Sequence, residues 1–150
     1  MNRVVVTGLG FISSIGNDRA AVLQSLREGR SGIELMPELA AANDRVKLAG
    51  TVKGFAFPTA DPLDWTFPAH VQFSRSQLRT LVPNAVFASA AMDEAIRDAQ
   101  LDPTLVSAPQ TGLYCASAGS SSMTHVALDS VQTRGPARTS APTVVTGMPN

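Results

Sequence analysis

Residues 3–10 read Arg3-Val4-Val5-Val6-Thr7-Gly8-Leu9-Gly10. A run of β-branched residues that ends at a glycine is typical of a strand buried on both faces of a sheet. The sequence therefore predicts a central strand over residues 3–8, followed by a glycine turn. Beyond the turn, apolar residues recur at helical spacing, so we expect a helix that Asn17 caps and that ends before Gly29.

Strands and helices continue to alternate along the rest of the chain. Their order predicts an α/β fold, in which helices cross over between buried strands. In the first half we further expect an irregular surface excursion over about 36–70, with a short strand within 46–52. A helix should follow from Pro83 to about Gln100, then a buried strand over 111–117 and a loop over 118–122. A helix over about 122–133 should close at Arg134-Gly135-Pro136, and a last element should start within 141–150.

Length and composition narrow the class of protein. The chain has 150 residues, 44% of them apolar and 16% charged, which suits one domain with a real core. Twelve basic residues balance twelve acidic ones, and this balance argues against nucleic acid as the main partner. The apolar runs are too short to cross a membrane, and the first residues lack a secretory h-region, so the expected compartment is the cytoplasm. One cysteine and two histidines predict no disulfide, no metal site and no cofactor.

The glycine turn invites comparison with a dinucleotide-binding fingerprint. It follows a predicted strand and precedes a helix, as the motif G-x-G-x-x-G does. The third glycine is replaced by Ser13, and no acidic residue stands about 20 positions later to hold a ribose. A small dinucleotide-binding protein is therefore kept only as an alternative from another class.

The nucleophile and base candidates favour structural roles. Cys115 lies within a predicted strand, where a cysteine usually serves as a small buried apolar residue. His70 follows a proline-rich stretch, and His125 lies in the first turns of a helix, where a histidine is usually solvated. The serines at 120–122 lack the G-x-S-x-G context of a nucleophile.

Two pairs of arginines are candidates for binding a partner protein. Arg75 and Arg79 are one helical turn apart, and Arg134 and Arg138 form a second, looser pair. Each pair is either part of an ordinary solvated face or a patch that docks an acidic partner protein through bidentate contacts.

Several segments together resemble the β-ketoacyl-acyl carrier protein synthases of the elongating type. Besides residues 3–10, the resemblance is carried by Ser13-Ser14-Ile15-Gly16-Asn17, Leu26-Arg27-Glu28-Gly29-Arg30-Ser31-Gly32-Ile33, the stretch 90–99, the stretch 112–120, Arg134-Gly135-Pro136 and the stretch 142–150. The resemblance covers the whole chain and is loosest between residues 36 and 70.

This resemblance implies a thiolase-like αβαβα sandwich, of which the chain would form an incomplete N-terminal half, and a dimer. It also implies decarboxylative condensation of an acyl thioester with malonyl-acyl carrier protein, in fatty acid or polyketide biosynthesis. In the family, a cysteine accepts the acyl group, and two histidines stabilise the enolate and the oxyanion. None of these three residues matches a position in 1–150, so Cys115, His70 and His125 are not assigned catalytic roles. The 150-residue chain alone is therefore expected to be inactive.

The resemblance also assigns binding roles. Arg75 and Arg79 match the family's basic pair that engages the acidic acyl carrier protein, and Arg134 and Arg138 lie near its second basic cluster. Met148 falls where the family places a residue that lines the acyl pocket at the dimer interface. The expected partners are therefore the acyl carrier protein and a second synthase chain, either identical or related. An alternative within the same fold is a non-catalytic partner similar to the chain-length factors.

Overall fold

The structure is a computed structural model that describes residues 3–117 and 119–148. It contains two compact units. Unit 1 comprises the described residues of Met1–Lys53 together with Ser89–Leu101. Unit 2 comprises Gly54–Ala88 and the described residues of Asp102–Asn150. Ala118 in the predicted loop, and Pro149 and Asn150 in the predicted last element, lie outside the described residues.

Helix α1 of unit 1 spans Arg19–Arg27. Its N-cap is Asp18, one residue after the predicted Asn17, and the Asp18 carboxylate accepts a hydrogen bond from the Ala21 backbone N–H at 2.7 Å. The helix buries Val22 and Ser25, and the Ser25 hydroxyl donates to the Ile15 carbonyl at 2.7 Å. Gly29 ends the turn after α1 with φ +62°, a left-handed conformation that favours glycine. The predicted helix is thus confirmed, with its start shifted by one cap residue.

A small antiparallel sheet follows α1. Strand β1 covers Ile33–Leu35 and strand β2 covers Leu48–Gly50, paired so that Ile33 faces Gly50. Helix α2, Pro37–Ala42, connects the two strands and was not predicted. The strand expected within 46–52 is confirmed in its central residues.

Helix α4, the longest described helix, spans Pro83–Asp98, close to its predicted bounds. Its residues 89–98 belong to unit 1 and carry two carboxylates that bind backbone N–H groups of the N-terminal segment. Glu94 accepts from Phe11 at 2.8 Å and from Arg19 at 2.7 Å. Asp98 accepts from Leu9 at 3.0 Å and forms an ion pair with the Arg19 side chain at 3.1 Å.

Aromatic residues build the first part of unit 2. Phe57 is at the centre, with its ring centroid 5.1 Å from that of Trp65 and 5.5 Å from that of Phe87. A short bridge pairs Ala56 with Thr66, and the Trp65 indole N–H donates to the Thr59 carbonyl at 2.8 Å. Trp65 is only 7% exposed. Residues 54–64 and 66–70 are exposed or half-buried, so the surface excursion over 36–70 stays a prediction, and its clustered aromatic rings bury Trp65.

Three helices make up the rest of unit 2 after the short helix α3, Arg75–Leu78. Helix α5 covers Pro103–Val106, α6 covers Ser121–Arg134 and α7 covers Ala141–Gly147. Helices α6 and α7 pack together where Gly147 lies against the Ala127 side chain, and the Thr124 hydroxyl donates to the Gly147 carbonyl at 2.8 Å. Single 3₁₀ turns occur at Pro62–Asp64 and Pro136–Arg138. The helix expected over 122–133 is confirmed, and its first residue is Ser121.

The two buried strands predicted at 3–8 and 111–117 are not formed within the described residues. Both segments have no regular secondary structure, and Val4 and Tyr114 are each 96% exposed. The Thr111 N–H donates to the nearby Ala108 carbonyl in a local turn, and no backbone hydrogen bond pairs either segment with a neighbouring strand among the described residues. A strand requires a neighbour that satisfies its N–H and C=O groups, so an apolar run alone does not make one. The described architecture is accordingly helix-rich with one two-stranded sheet, rather than the layered sandwich that was expected.

None of the described helices has the length and apolar character needed to cross a membrane.

Candidate functional site

Arg75 and Arg79 lie on and directly after helix α3 in unit 2. The helix begins at a capping box, in which the Ser74 hydroxyl accepts from the Gln77 N–H at 3.3 Å and the Gln77 side chain accepts from the Ser74 N–H at 2.8 Å. These reciprocal bonds fix the start of a helix that is too short to be stable on its own. Both arginine side chains are exposed, and their spacing of four residues places them on one face.

Arg134 and Arg138 lie on either side of a corner in the same unit. Helix α6 ends at Arg134, Gly135 adopts φ +80°, and Arg138 closes the 3₁₀ turn. The Thr139 hydroxyl donates to the Gly135 carbonyl at 3.1 Å and lies 3.3 Å from the Ser130 hydroxyl. These contacts fix the corner and leave both arginines exposed.

The four arginines carry uncompensated charge. Among residues 3–117 and 119–148, none of the four has a carboxylate oxygen within 4.0 Å, whereas Arg19, Arg30 and Lys53 in unit 1 are each paired with an acidic side chain. Free guanidinium groups on a fixed backbone attract carboxylates of another molecule and can bind them with two parallel hydrogen bonds.

A small groove adjoins Arg79. Its volume is about 120 Å³, and Arg79 lines it together with residues of α6 and α7. The remaining wall is mainly apolar and includes Pro62, Met123 and Val126. The structure thus brings Arg79 next to the helix that ends at Arg134, so the two predicted pairs belong to one unit.

Met148 is the residue at which helix α7 ends. It adopts an extended conformation, its N–H donates to the Val145 carbonyl at 3.2 Å, and its side chain is 55% exposed. The role at the acyl pocket and dimer interface that the resemblance assigns to Met148 stays a prediction.

Cys115 is exposed, and the prediction that it is a small buried strand residue is wrong. The physical reason is the absence of a paired strand over the described part of 111–117, because burial of this residue depends on a neighbouring strand and covering helices. His70 and His125 are exposed as well. Of the serines, Ser121 and Ser122 are the first residues of α6 rather than loop residues, and the Ser120 hydroxyl lies 3.1 Å from that of Ser122.

The glycine turn is accounted for by packing within unit 1. A Cβ atom at Gly8 would meet the Ala95 carbonyl oxygen, and one at Gly10 would meet the Ala91 carbonyl oxygen, so both glycines allow the chain to approach α4 closely. The amides of Leu9 and Phe11, which a dinucleotide phosphate would need, already bind the carboxylates of Asp98 and Glu94. This geometry argues against the dinucleotide-binding alternative.

Glu94 and Asp98 hold the N-terminal segment against α4, and the sequence did not reveal this role. Their spacing of four residues on one helix was a visible signal, since it places both carboxylates on one face. What the sequence did not show is that the partners would be backbone N–H groups 75 to 89 residues away.

Comparison with known proteins identifies the family of this chain. A family model described as "Beta-ketoacyl synthase, N-terminal domain" matches residues 1–150. The chain therefore belongs to the β-ketoacyl synthase family, whose N-terminal domain has a thiolase-like fold.

Several relatives of the chain are named as 3-oxoacyl-[acyl-carrier-protein] synthases. The chain is 42% identical over 137 residues to the 3-oxoacyl-[acyl-carrier-protein] synthase 1 of Haemophilus influenzae, which covers 91% of this chain and 30% of that protein. It is 38% identical over 122 residues to the synthase 1 of Escherichia coli strain K12, covering 81% of this chain and 27% of that protein. It is 30% identical over 139 residues to the 3-oxoacyl-[acyl-carrier-protein] synthase 2 of Staphylococcus aureus strain COL, covering 92% of this chain and 31% of that protein. The chain thus spans about 30% of the length of these relatives.

Proposed function

We propose that this chain is part of a 3-oxoacyl-acyl carrier protein synthase, an acyltransferase that condenses an acyl thioester with malonyl-acyl carrier protein and releases carbon dioxide. The proposal rests on membership of the β-ketoacyl synthase family over residues 1–150 and on relatives that are named as such synthases. The pathway served is the biosynthesis of fatty acids or polyketides.

Within this function, residues 1–150 supply binding surface rather than the reacting groups. No residue among them matches the family's nucleophilic cysteine or its two histidines, so the chain alone is not expected to catalyse condensation. A chain-length-factor-like partner would lack that nucleophile in the complete assembly. No observation on this chain favours that alternative over a synthase.

Carrier docking is the role proposed for the arginines. The observation that carries it is the uncompensated charge of Arg75, Arg79, Arg134 and Arg138, which are all exposed in unit 2 with no carboxylate within 4.0 Å among the described residues. An acidic carrier protein would be steered by this charge, and its carboxylates would pair with the guanidinium groups.

The same proposal gives a role to the segments without secondary structure. Residues 3–8 and 112–117 carry exposed apolar side chains and unpaired backbone groups, as strands of a larger sheet do before their neighbours are in place. We expect them to form central strands of an αβαβα sandwich, with Met148 at the interface between two synthase chains, where it would line the acyl pocket.

Carrier docking is tested by the double variant Arg75→Ala/Arg79→Ala. We expect its affinity for an acidic acyl carrier protein, measured by titration calorimetry, to fall about tenfold, because two exposed ion pairs of up to about 1 kcal/mol each are lost. The slope of affinity against salt concentration falls as well, because fewer charges are paired in the complex.

The matched control is Arg27→Ala/Arg45→Ala, which removes the same charge from exposed arginines of unit 1. It should leave affinity and salt slope close to those of the unaltered protein. Equal losses in both double variants, or no loss in Arg75→Ala/Arg79→Ala, would mean that Arg75 and Arg79 are an ordinary solvated face.

A further inference from the structure

Unit 1 contains an open cleft that carrier docking does not use. Its volume is about 410 Å³, which lies within the range of small-molecule sites in proteins. The walls come from the loop 13–17, the first turn of α1, the turn 30–32, strand β1 and Lys53. The loop and the turn belong to the segments 13–17 and 26–33, to which the proposed synthase function assigns no role.

Hydrogen bonds hold the walls of the cleft in place. Ser13 and Gly16 close a tight turn, in which the Ser13 N–H donates to the Gly16 carbonyl at 2.9 Å. The Asn17 amide donates to the Lys53 carbonyl at 2.5 Å and so joins the two sides of the cleft. The Ser14 side chain lies where a Cβ atom of Gly32 would be, which requires glycine at position 32. A cleft built in this way needs little ordering to receive a ligand.

Seven of the eleven residues that line the cleft have polar or charged side chains. Its charged members are Arg30, Lys53 and Glu34, and Glu28, which lies outside the lining, pairs with Arg30. Serine hydroxyls and the Asn17 amide add groups that form hydrogen bonds, and Ile15 is the one large apolar residue of the lining. The cationic N–H donors and the serine hydroxyls favour a ligand that offers acceptor oxygens, such as those of a phosphate group.

The cations retain free donors. Arg30 is paired with Glu28, and Lys53 is paired with Glu34 and donates to the Thr51 hydroxyl at 2.7 Å. A guanidinium group has five N–H donors and an ammonium group has three, so both side chains can bind a further anion without losing these partners.

A buried hydrogen-bond acceptor in the cleft indicates a second property of the ligand, a hydroxyl group. The Oδ1 atom of Asn17 is buried and has no hydrogen-bond partner among the described residues, although the amide nitrogen of the same side chain is bonded. A buried acceptor without a donor is unfavourable, and a ligand hydroxyl is one group that can satisfy it.

We propose that this cleft binds a small hydroxylated phosphate ester of the size of a pentose phosphate. Arg30 and Lys53 contact the phosphate group, and Asn17 accepts a hydrogen bond from a ligand hydroxyl. The site is independent of carrier docking, because all of its residues belong to unit 1 and none of them is a docking arginine.

The probe for this site is ribose 5-phosphate, titrated calorimetrically into the purified protein, with inorganic phosphate and ribose as separate arms. We expect ribose 5-phosphate to bind more tightly than inorganic phosphate or ribose alone. The variant Arg30→Gln should weaken its binding about threefold, and Arg30→Gln/Lys53→Gln about tenfold, because exposed charge pairs are worth at most about 1 kcal/mol each.

The control variant is Arg45→Gln, which removes the same charge from an exposed arginine that does not line the cleft. Its affinity for ribose 5-phosphate should be unchanged. Asn17→Ala should remove the preference for ribose 5-phosphate over inorganic phosphate, and circular dichroism checks that this variant folds. If it does not fold, the Arg30 and Lys53 variants still decide the outcome.

Three results would overturn the proposal. The first is no binding of ribose 5-phosphate at millimolar concentration. The second is equal binding by the unaltered protein and by Arg30→Gln/Lys53→Gln, which would place the ligand elsewhere. The third is equal affinity for ribose 5-phosphate and inorganic phosphate, which would leave no role for the Asn17 acceptor. Loss of carrier binding in Arg75→Ala/Arg79→Ala with intact ribose 5-phosphate binding would separate the two sites.

Discussion

Single aspartates begin three of the helical turns in this chain. Asp18, Asp61 and Asp102 each accept a hydrogen bond from a backbone N–H two or three residues later, at distances between 2.7 and 3.0 Å. At 61 and 102 the next residue is proline, whose fixed φ suits the first position of a helix and which has no N–H to satisfy. At this scale the sequence is informative, because a cap and its helix are neighbours along the chain.

Asp102 offers a test of these caps through its pKa. The hydroxyl and the N–H of Thr104 both donate to the Asp102 carboxylate and hold its pKa below the ordinary value. Because the folded pKa is depressed, the cap stabilises α5 above the ordinary pKa of an aspartate and is lost as the pH falls through the folded value.

The substitution Thr104→Val removes the hydroxyl donor and should raise the pKa of Asp102 towards its ordinary value. Carbon-detected NMR titration of the side-chain carboxyl measures this shift. The control is Thr80→Val, because the Thr80 hydroxyl donates to the Gln77 carbonyl and to no carboxylate. A pKa of Asp102 that is the same in all three proteins would contradict the assigned cause.

The candidate site was predictable from the sequence at some residues and not at others. The four arginines proposed for carrier docking are conspicuous by type and spacing, and their exposure agrees both with docking and with an ordinary solvated face. The burial of Cys115 was predicted wrongly, because burial depends on what packs against a segment rather than on its own residues. The cleft acceptor Asn17 could not be found from sequence, since its bond to Lys53 joins residues 36 positions apart.

At the scale of elements, helix α4 shows why some of the architecture could be anticipated. Its bounds follow from Pro83 at the start and from the periodic alanines, which are local signals. The small alanine face predicts close packing, and Gly8 and Gly10 provide it by bringing their backbone against Ala91 and Ala95. Glycine and alanine are therefore matched across this contact.

Glu94→Ala tests how far α4 holds the N-terminal segment. The variant leaves the half-buried Phe11 N–H without its acceptor, whereas water can replace the carboxylate at the exposed Arg19 N–H, so we expect the free energy of unfolding to fall by about 1–3 kcal/mol, as measured by urea denaturation. Asp93→Ala is the control on the same helix, because the exposed Asp93 side chain accepts no hydrogen bond among the described residues and should shift stability by less than about 0.5 kcal/mol. Similar losses in both variants would show that helix charge, and not the bonds to Phe11 and Arg19, is responsible.

The two predicted strands that are absent mark the limit of element prediction. Residues 3–8 have the composition of a buried strand, but a β-strand is stabilised by its neighbours and not by hydrogen bonds within itself. Helices form their hydrogen bonds internally, which is why α1, α4 and α6 were predicted close to their observed bounds. The short strands β1 and β2 agree with this rule, because each is the other's partner.

On the scale of the whole molecule, the described residues bury few large apolar side chains and expose many. The buried ones include Val22, Val82 and Val86, whereas Val4–Val6, Leu113 and Tyr114 are among those exposed. Large exposed apolar patches in a soluble chain mark surfaces that another polypeptide covers, or that cause aggregation.

A polypeptide of residues 1–150 should therefore associate in solution. We expect size-exclusion chromatography with light scattering to show oligomers or aggregates, and the dye ANS to bind with a strong rise in fluorescence. Replacing Val4 and Val6 by Thr preserves β-branching and lowers the apolar exposure, so it should reduce association. A monodisperse monomer that melts cooperatively and binds no ANS would contradict this expectation.

The carboxylates of Glu94 and Asp98 also set an order of events during protein synthesis. The N–H groups of Leu9 and Phe11 leave the ribosome first, but their acceptors are 89 and 83 residues further along the chain. At about 5–20 residues per second, these groups wait roughly 4–18 s before α4 is translated. Unit 1 is consequently completed only after α4 has been translated, and until then its apolar N-terminal segment is a natural client for the chaperones that meet nascent chains.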